Sequence, residues 1–429
     1  MKLIIKNGHL IDPANKKDGL FDILIEDGLV REVVGAGLKP APTQSNGAKE
    51  IDAKGCIVTP GFVDLHTHLR EPGYEYKETI QTGTLSAAAG GFTSICCMAN
   101  TNPVNDKAQV TEYILAQARE KGVVNVFPIG AVTKGLEGKE LAEIGELKKA
   151  GCIAISDDGK CVGNARLQRV AMEYAKNFDL PVIVHAIDPD LAGDGVMNES
   201  FISTKLGLSG IPNEAEDIMI ARDIALAELT GASLHIAHLS TAGGIDLVRR
   251  AKKKKLKVTC EVTPHHLVLT DERVIGYDTN TKMAPPLRGE ADRLALIEGI
   301  ADGTVDAIAT DHAPHAQVDK EVEFDRAAFG IVGLETALSL VLGLVDGKKI
   351  TMKRIIEMLT VNPARIVSLP KGRLNAGDEA DITIFDPKIS YTIDPGTFSC
   401  KSKNTPFGGM KVKGKVRKTL VKGKVVYES

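Results

Sequence analysis

The sequence predicts an α/β protein: a (β/α)8 barrel, the TIM-barrel architecture, with a composite β-sandwich built from both chain ends. Three observations predict it. Short apolar, β-branched runs alternate with longer helical patterns from about residue 58 to residue 368, the pattern of βα units around a parallel sheet. Both ends read instead as strands and turns. Eight of the ten histidines fall just past a predicted strand, as expected where chemistry sits on loops at the carboxyl ends of barrel strands.

Residues 1–57 form the first part of the sandwich. Leu3-Ile4-Ile5 and the run 21–25 read as strands, and Asp27-Gly28 before the run 30–34 reads as a hairpin turn, because type I′ turns need positive φ at both central residues. The segment 39–49, with two prolines and a glycine, reads as an exposed loop. Within the barrel, residues 58–368, strands are expected at 57–64, 92–98, 123–129, 152–156, 181–184, 233–237, 257–262 and 307–310. Helical patterns fill the gaps at 107–121, 163–178, 214–230, 244–255 and 293–303. Residues 369–429 return to strands at 381–385, 411–416 and 419–427. Neither end has enough apolar residues for a domain alone, so pairing them beside the barrel is the economical arrangement.

The 429 residues are 43% apolar and 25% charged, with a net charge of −3 spread along the chain. That balance gives no reason to expect a nucleic-acid or membrane partner. No apolar run is long enough for a bilayer, and the first residues lack a signal-peptide core. Seven cysteines show no paired spacing. Cys56, Cys96, Cys97, Cys152 and Cys260 sit in strand-like runs and read as buried thiols of a reducing compartment, so a cytoplasmic protein is expected.

The chemistry concentrates after the strands. Strand 1 runs into Asp64-Leu-His66-Thr-His68-Leu-Arg70; alternation puts His66 and His68 on one face, and paired imidazoles suit a metal such as Zn²⁺. The later strands deliver Asn100, then Asp157 and Asp158, His185, His238, His265 and His266, and finally Asp311, His312 and His315. At most one of His265 and His266 faces the axis, His312 reads as a supporting loop residue, and His235, inside strand 6, as a packed core histidine. Four imidazoles with one shared carboxylate can hold two ions, and Asp311 can serve one of them. Zinc brings the pKa of bound water to about 7, and Asp311 beside it can take the proton and return it to a leaving nitrogen. Spacing does not separate Asp157 from Asp158. No lysine takes the place of Asp158 at the end of strand 4, so a bridging carboxylate would be an aspartate; the nearby Lys134 and Lys160 read as solvent or surface residues.

These residues resemble the amidohydrolase superfamily and, within it, the bacterial type I dihydroorotases. Pro60-Gly-Phe-Val-Asp-Leu-His-Thr-His-Leu-Arg-Glu-Pro-Gly73 is similar to the first signature of that family, and the run from Ala309 through Asp311 and His315 to Lys320 to its second. The segments at Asn100–Pro103, Ser156–Gly159, Lys282–Arg288 and Phe329–Glu335 match its intermediate landmarks in order. The resemblance implies metal ligands His66, His68, Asp158, His185, His238 and Asp311, with one or two zinc ions bridged by Asp158 if two are bound. It implies substrate contacts from Arg70, Asn100, His315, Phe329 and Gly330, with Arg70 as a fork for a carboxylate. Ala284 stands where the family often has Asn, removing one hydrogen-bond partner. Ala328 stands where a proline usually precedes Phe-Gly, which predicts a looser loop.

The implied activity is reversible closure of N-carbamoyl-L-aspartate to L-dihydroorotate, a step of pyrimidine synthesis, in a homo-oligomer that allows aspartate carbamoyltransferase as a partner. Two other readings compete. A hydantoinase, dihydropyrimidinase or allantoinase would usually carry a carboxylated lysine and would not need Arg70 with His315. A catalytically dead scaffold for the carbamoyltransferase would have no reason to keep the full ligand set.

Overall fold

A computed structural model describes residues 2–35, 47–345 and 350–429; residues 39–46 of the expected loop lie outside them. The chain begins with β1 (Lys2–Asp12), β2 (Lys17–Glu26), β3 (Leu29–Gly35), β4 (Lys49–Asp52) and β5 (Ile57–Pro60). The β2–β3 hairpin turns on Asp27 and Gly28, at φ 52° and 83°, the two left-handed residues that its Asp-Gly dipeptide predicts.

The barrel strands are β6 (Phe62–Thr67), β7 (Phe92–Cys97), β8 (Asn125–Pro128), β9 (Ile155–Ser156) and β10 (Val182–Val184). A short parallel pair, β11 (Met197–Asn198) and β12 (Gly210–Ile211), interrupts the next connection. Then come β13 (Leu234–Ile236), β14 (Val258–Val262) and β15 (Ala307–Ile308). They form a three-stranded ladder, β6 to β8, and a five-stranded one, β9 to β15 without the short pair. Parallel bridges at Gly130–Ile155 and Thr67–His312 join the two and close the ring. Side chains alternate as the pleat requires: Leu65, Cys96, Ile129, Ile183, Ala237 and Ala309 fill the interior, while Phe62, Ile95, Cys97 and Val182 face the helices.

The predicted helices appear, among others, at Ala108–Lys121, Ala165–Lys176, Glu214–Thr230, Ala242–Lys253 and Glu290–Asp302. Side chains cap two of them: Asn164 accepts from the Arg166 and Leu167 amides, and Thr241 from Gly244, each satisfying donors that a helix start leaves free.

After the barrel, β16 (Ile382–Thr392), β17 (Lys411–Val421) and β18 (Lys424–Glu428) join β1 to β5 in one mixed eight-stranded sheet. Here one expectation is corrected. The run 57–64 is two strands, because β5 pairs with β1 and β16 in this sheet while β6 begins the barrel. The apolar pattern runs unbroken through the change of sheet. Ile5, Leu10, Ile23, Ile382 and Leu420 pack into one core drawn from both ends, each side chain worth roughly 1.5–3 kcal/mol on burial. Phe385 of β16 meets Phe62 of β6 at 6.3 Å between ring centroids, fixing the sheet to the barrel.

All seven cysteines are free; Cys96, Cys97, Cys152, Cys260 and Cys400 are buried, whereas Cys56 and Cys161 are only half-buried. Cys56 therefore departs from expectation, lying just before β5 in the lining of a surface cavity. No helix among the described residues is long and apolar enough to cross a membrane.

Candidate metal centre

Strand ends converge on one buried cluster. Asp64 stitches its base: its Oδ1 accepts from the His66 and Thr310 amides at 3.0 and 3.1 Å, and Oδ2 from Thr310 Oγ1 at 2.6 Å. Burial pushes the Asp64 carboxyl up to about 7, against those donors. The carboxyl ends of β6 and β15 are thereby tied together. Beyond them, Arg70, His238 and Asp311 adopt φ of 61°, 34° and 47°. Such backbone costs about 1–3 kcal/mol per non-glycine residue and is found where a site demands it.

Asp158 is the hub. Its Oδ1 lies 3.2 Å from His66 Nε2, 3.4 Å from His238 Nε2 and 3.7 Å from His185 Nδ1, and its Oδ2 lies 3.5 Å from His68 Nε2. Asp311 Oδ1 lies 3.2 Å from His68 Nε2 and 3.6 Å from His66 Nε2. All six residues are buried. Asp157 points elsewhere: it accepts from the Val132 and Thr133 amides and the Thr133 hydroxyl, bracing the turn after β8.

The hydrogen-bond roles show what the cluster can hold. His68 Nδ1 is 2.9 Å from Asn100 Oδ1, and His66 Nδ1 is 3.1 Å from Glu261 Oε1. Both partners only accept, so each Nδ1 carries the hydrogen and each Nε2 of a neutral ring presents a lone pair to a carboxylate. Lone pairs facing carboxylates this closely repel unless a proton or a metal cation stands between them. Accordingly His66 Nε2 is buried without a hydrogen-bond partner among the described residues; so is His238 Nδ1, the ring nitrogen opposite the Nε2 that faces Asp158. Burial opposes charge on His66, but Asp158, Glu261 and Asp311 outweigh it and push its pKa well up. Burial likewise opposes charge on Asp158 and Asp311; neighbouring imidazoles win and hold both well below the usual carboxylate range. Two overlapping triads, His66–His68–Asp311 and His66–Asp158–His238, each bring three ligand atoms within 4.8 Å of one another. These buried nitrogen and oxygen donors fit divalent metal binding.

Sequence reading missed Glu261. It lies inside β14, its Oε1 on His66 and its Oε2 3.1 Å from His235 Nε2, while His235 Nδ1 is 2.8 Å from Thr259 Oγ1. His235 is thus a core residue, as expected, but one that holds the carboxylate that orients His66. A charge in the middle of an apolar strand was the available signal. His266 is fully bonded, through Thr263 and the Pro285 carbonyl, whereas the buried His265 has no partner for its Nε2 among the described residues.

Asn100, Arg70, His315, Phe329 and Gly330 line a cavity of about 250 Å³ above His68, His185, His238 and Asp311. Arg70 Nε donates to the Pro314 carbonyl at 3.1 Å, fixing the guanidinium at the cavity wall. His315 Nε2 is 2.8 Å from the Phe329 carbonyl and 3.2 Å from Arg70 Nη2. Since the carbonyl only accepts, His315 Nε2 bears a hydrogen, and two donors converge beside the cluster. Ala284 also lines this wall. The loop at Ala328 is not loosened: its amide donates to the Asp319 carbonyl at 3.0 Å, a bond proline could not make, and Lys320 Nζ grips the Ala328 and Gly330 carbonyls.

A third cluster, Glu78–His312–Cys400, is equally buried. His312 Nδ1 accepts from the Gly333 and Leu334 amides, so its Nε2 carries the proton towards Glu78 and Cys400. That makes it a donor network supporting the Asp311 turn, in line with the supporting role read for His312.

Comparison with known proteins agrees with this geometry. Residues 55–243 match the family described as dihydro-orotase-like, and residues 211–427 the amidohydrolase family. The chain is 54% identical over 429 residues to a dihydroorotase of Syntrophus aciditrophicus, covering 100% of both chains. It is 53% identical over 428 residues to one of Geobacter metallireducens, again covering 100% of each. Among solved structures it resembles an L-hydantoinase (dihydropyrimidinase) from Arthrobacter aurescens, with a TM-score of 0.88, 26% identity, and 99% and 96% of the two chains covered. A dihydropyrimidinase from Brevibacillus agri follows at 0.85 and 25%, with 100% and 95% covered. The chain belongs to the dihydroorotase family of the amidohydrolases, whose members are cyclic amide hydrolases.

Proposed function

We propose that this chain is a zinc-dependent dihydroorotase that interconverts N-carbamoyl-L-aspartate and L-dihydroorotate. The observation that carries the reading is the convergence of Arg70 and His315 donors beside the His/Asp cluster. A neutral cyclic ureide offers that pair carbonyl oxygens but no carboxylate to match a charged donor set. His66, His68, Asp158, His185, His238 and Asp311 would hold one or two zinc ions, which would supply an activated water and polarise the amide carbonyl.

The chain's own groups do the rest. Arg70 Nη groups and Asn100 clamp the substrate carboxylate, with His315 Nε2–H and the backbone at Phe329 and Gly330 closing the wall. Asp311 is ionised at neutral pH. It takes the proton released as water adds to the ring carbonyl and returns it to the departing ring nitrogen, so the C–N bond breaks without an unstable anion leaving. In the closing direction Asp311 takes the proton from the carbamoyl nitrogen. The overall fold is shared with hydantoinases, but no lysine stands where Asp158 does, and the complete donor set argues against a mere scaffold. The same proposal divides the chain into residues 1–57 and 369–429, folded together on one mixed sheet, and the barrel of residues 58–368; the common core of the two ends supports it.

Replacing Arg70 with Lys tests the substrate class. The kcat/KM for dihydroorotate is expected to fall far more than the affinity for dihydrouracil as an uncharged competitor, because a point charge cannot reproduce the planar fork. Equal losses on both would favour a hydantoinase-type substrate.

A further inference from the structure

Lys77 belongs to no site described so far. Its half-buried side chain ends between two groups of opposite character: Nζ is 3.3 Å from His315 Nδ1 and 3.3 Å from Asp319 Oδ2. We propose that Lys77 is a positioning residue whose ammonium separates Asp319 from His315, keeps His315 neutral with its hydrogen on Nε2, and thereby sets the selectivity for an acidic substrate. The inference rests on the carboxylate clamp of Arg70 and His315.

The geometry is restrictive. His315 Nε2 faces the Phe329 carbonyl at 2.8 Å and must donate. Nδ1 faces an ammonium, which has only hydrogens to offer, and must accept. Both ends of the ring therefore specify one neutral tautomer. The next group on the Nδ1 side is Asp319, whose Oδ2 is only 3.8 Å away. Asp319 is itself fixed, accepting the Ala316 amide at 3.1 Å and offering its carbonyl to Ala328. Without Lys77, the Asp319 carboxylate on the Nδ1 side favours a hydrogen on Nδ1 instead of Nε2. Nε2 then turns acceptor 3.2 Å from Arg70 Nη2 and draws away the guanidinium that holds the substrate.

The groups facing His315 are Arg70, Lys77, Lys320, Asp319 and the Phe329 carbonyl. Burial first, then Arg70, Lys77 and Lys320, push the ring down to about 2, so it does not titrate in the range where enzymes are assayed. Removing Lys77 deletes one of these cations and exposes the ring to Asp319, so the pKa moves up.

The test uses the full-length, metal-loaded enzyme. Michaelis constants for dihydroorotate and competitive inhibition constants for dihydrouracil are compared in Lys77→Met, Lys77→Arg, Arg70→Met and the double variant Lys77→Met/Asp319→Asn. Lys77→Met is expected to raise KM for dihydroorotate about tenfold, with kcat and metal content near wild type. Lys77→Arg, which keeps a charged donor facing Nδ1, should raise KM far less. Asp319→Asn in the Lys77→Met background should bring KM back to within about threefold of wild type, since the carboxylate that draws the hydrogen to Nδ1 is gone. Dihydrouracil should not distinguish the variants. A merely structural Lys77 would give a double variant as poor as the single one, or losses in kcat and metal content, and either result overturns the proposal. Should Lys77→Met not fold, Lys77→Gln, an uncharged donor, carries the same expectation. Arg70→Met separates the two levels: if it leaves the preference for the acid unchanged, the clamp itself is wrong, whereas loss of preference there with none in Lys77→Met refutes this inference alone.

Discussion

Glu261 occupies the most expensive place for a charge, inside the barrel on β14, fully buried. His235 and His66, bonded to its two oxygens, outweigh burial and hold its carboxyl down to about 2. Carboxylates behind a metal-binding imidazole fix ring orientation and typically contribute about 10–100-fold in metal affinity. Glu261→Gln is therefore expected to weaken zinc binding by about that factor, measured by competition with a metal buffer, while circular dichroism stays native. The two adjacent aspartates give a sharper contrast. Asp158→Asn should lower metal stoichiometry after dialysis, because an amide cannot balance divalent cations. Asp157→Asn should keep the metal and lose stability instead, since it disturbs the donors of Val132 and Thr133. Metal loss in Asp157→Asn with retention in Asp158→Asn would reverse the assignment. Asp311→Asn should leave the fold intact and cost about 10²–10⁴-fold in kcat.

At the scale of elements, the strand-to-loop pattern was legible and the seam between the two layers was not. Histidines after successive strands marked the mouth of the barrel because polar residues follow apolar runs there. The Asp27-Gly28 hairpin was legible because few dipeptides tolerate its dihedrals. The break at Gly61 escaped notice because β5 and β6 are both apolar and β-branched, so hydrophobicity alone carries no boundary between them. Glu261 and Lys77 escaped for a related reason: one sits within a strand, the other in a loop, and their partners are 195 and 238 residues away. Gly61 itself is sterically required. A Cβ there would lie 2.0 Å from Thr93 Oγ1 and 2.3 Å from its Cγ2, on the neighbouring barrel strand. Gly61→Ala is expected to destabilise the protein by roughly 1–3 kcal/mol, the usual cost of overpacking. Calorimetry should show a lower Tm while activity per folded molecule is preserved. An unchanged Tm would show that the strand junction yields freely.

For the whole molecule, the metal-binding cluster is also a stability element. Three carboxylates, Asp158, Asp311 and Glu261, and four imidazoles meet where the barrel closes, and leaving them without a cation leaves buried charge uncompensated. A ligand that binds only the folded chain stabilises it by about 2.7 kcal/mol at a hundred times its Kd. Chelation should therefore lower Tm, and zinc should restore it. The Asp158→Asn variant should respond less to both.

The most direct measurement combines elemental analysis and dihydroorotate hydrolysis on one purified sample, before chelation, after it, and after zinc is returned. Activity is expected to disappear with the metal and to recover in proportion to the zinc bound. Metal-free protein that hydrolyses dihydroorotate at the full rate would contradict a reaction centred on His66, His68, Asp158 and Asp311.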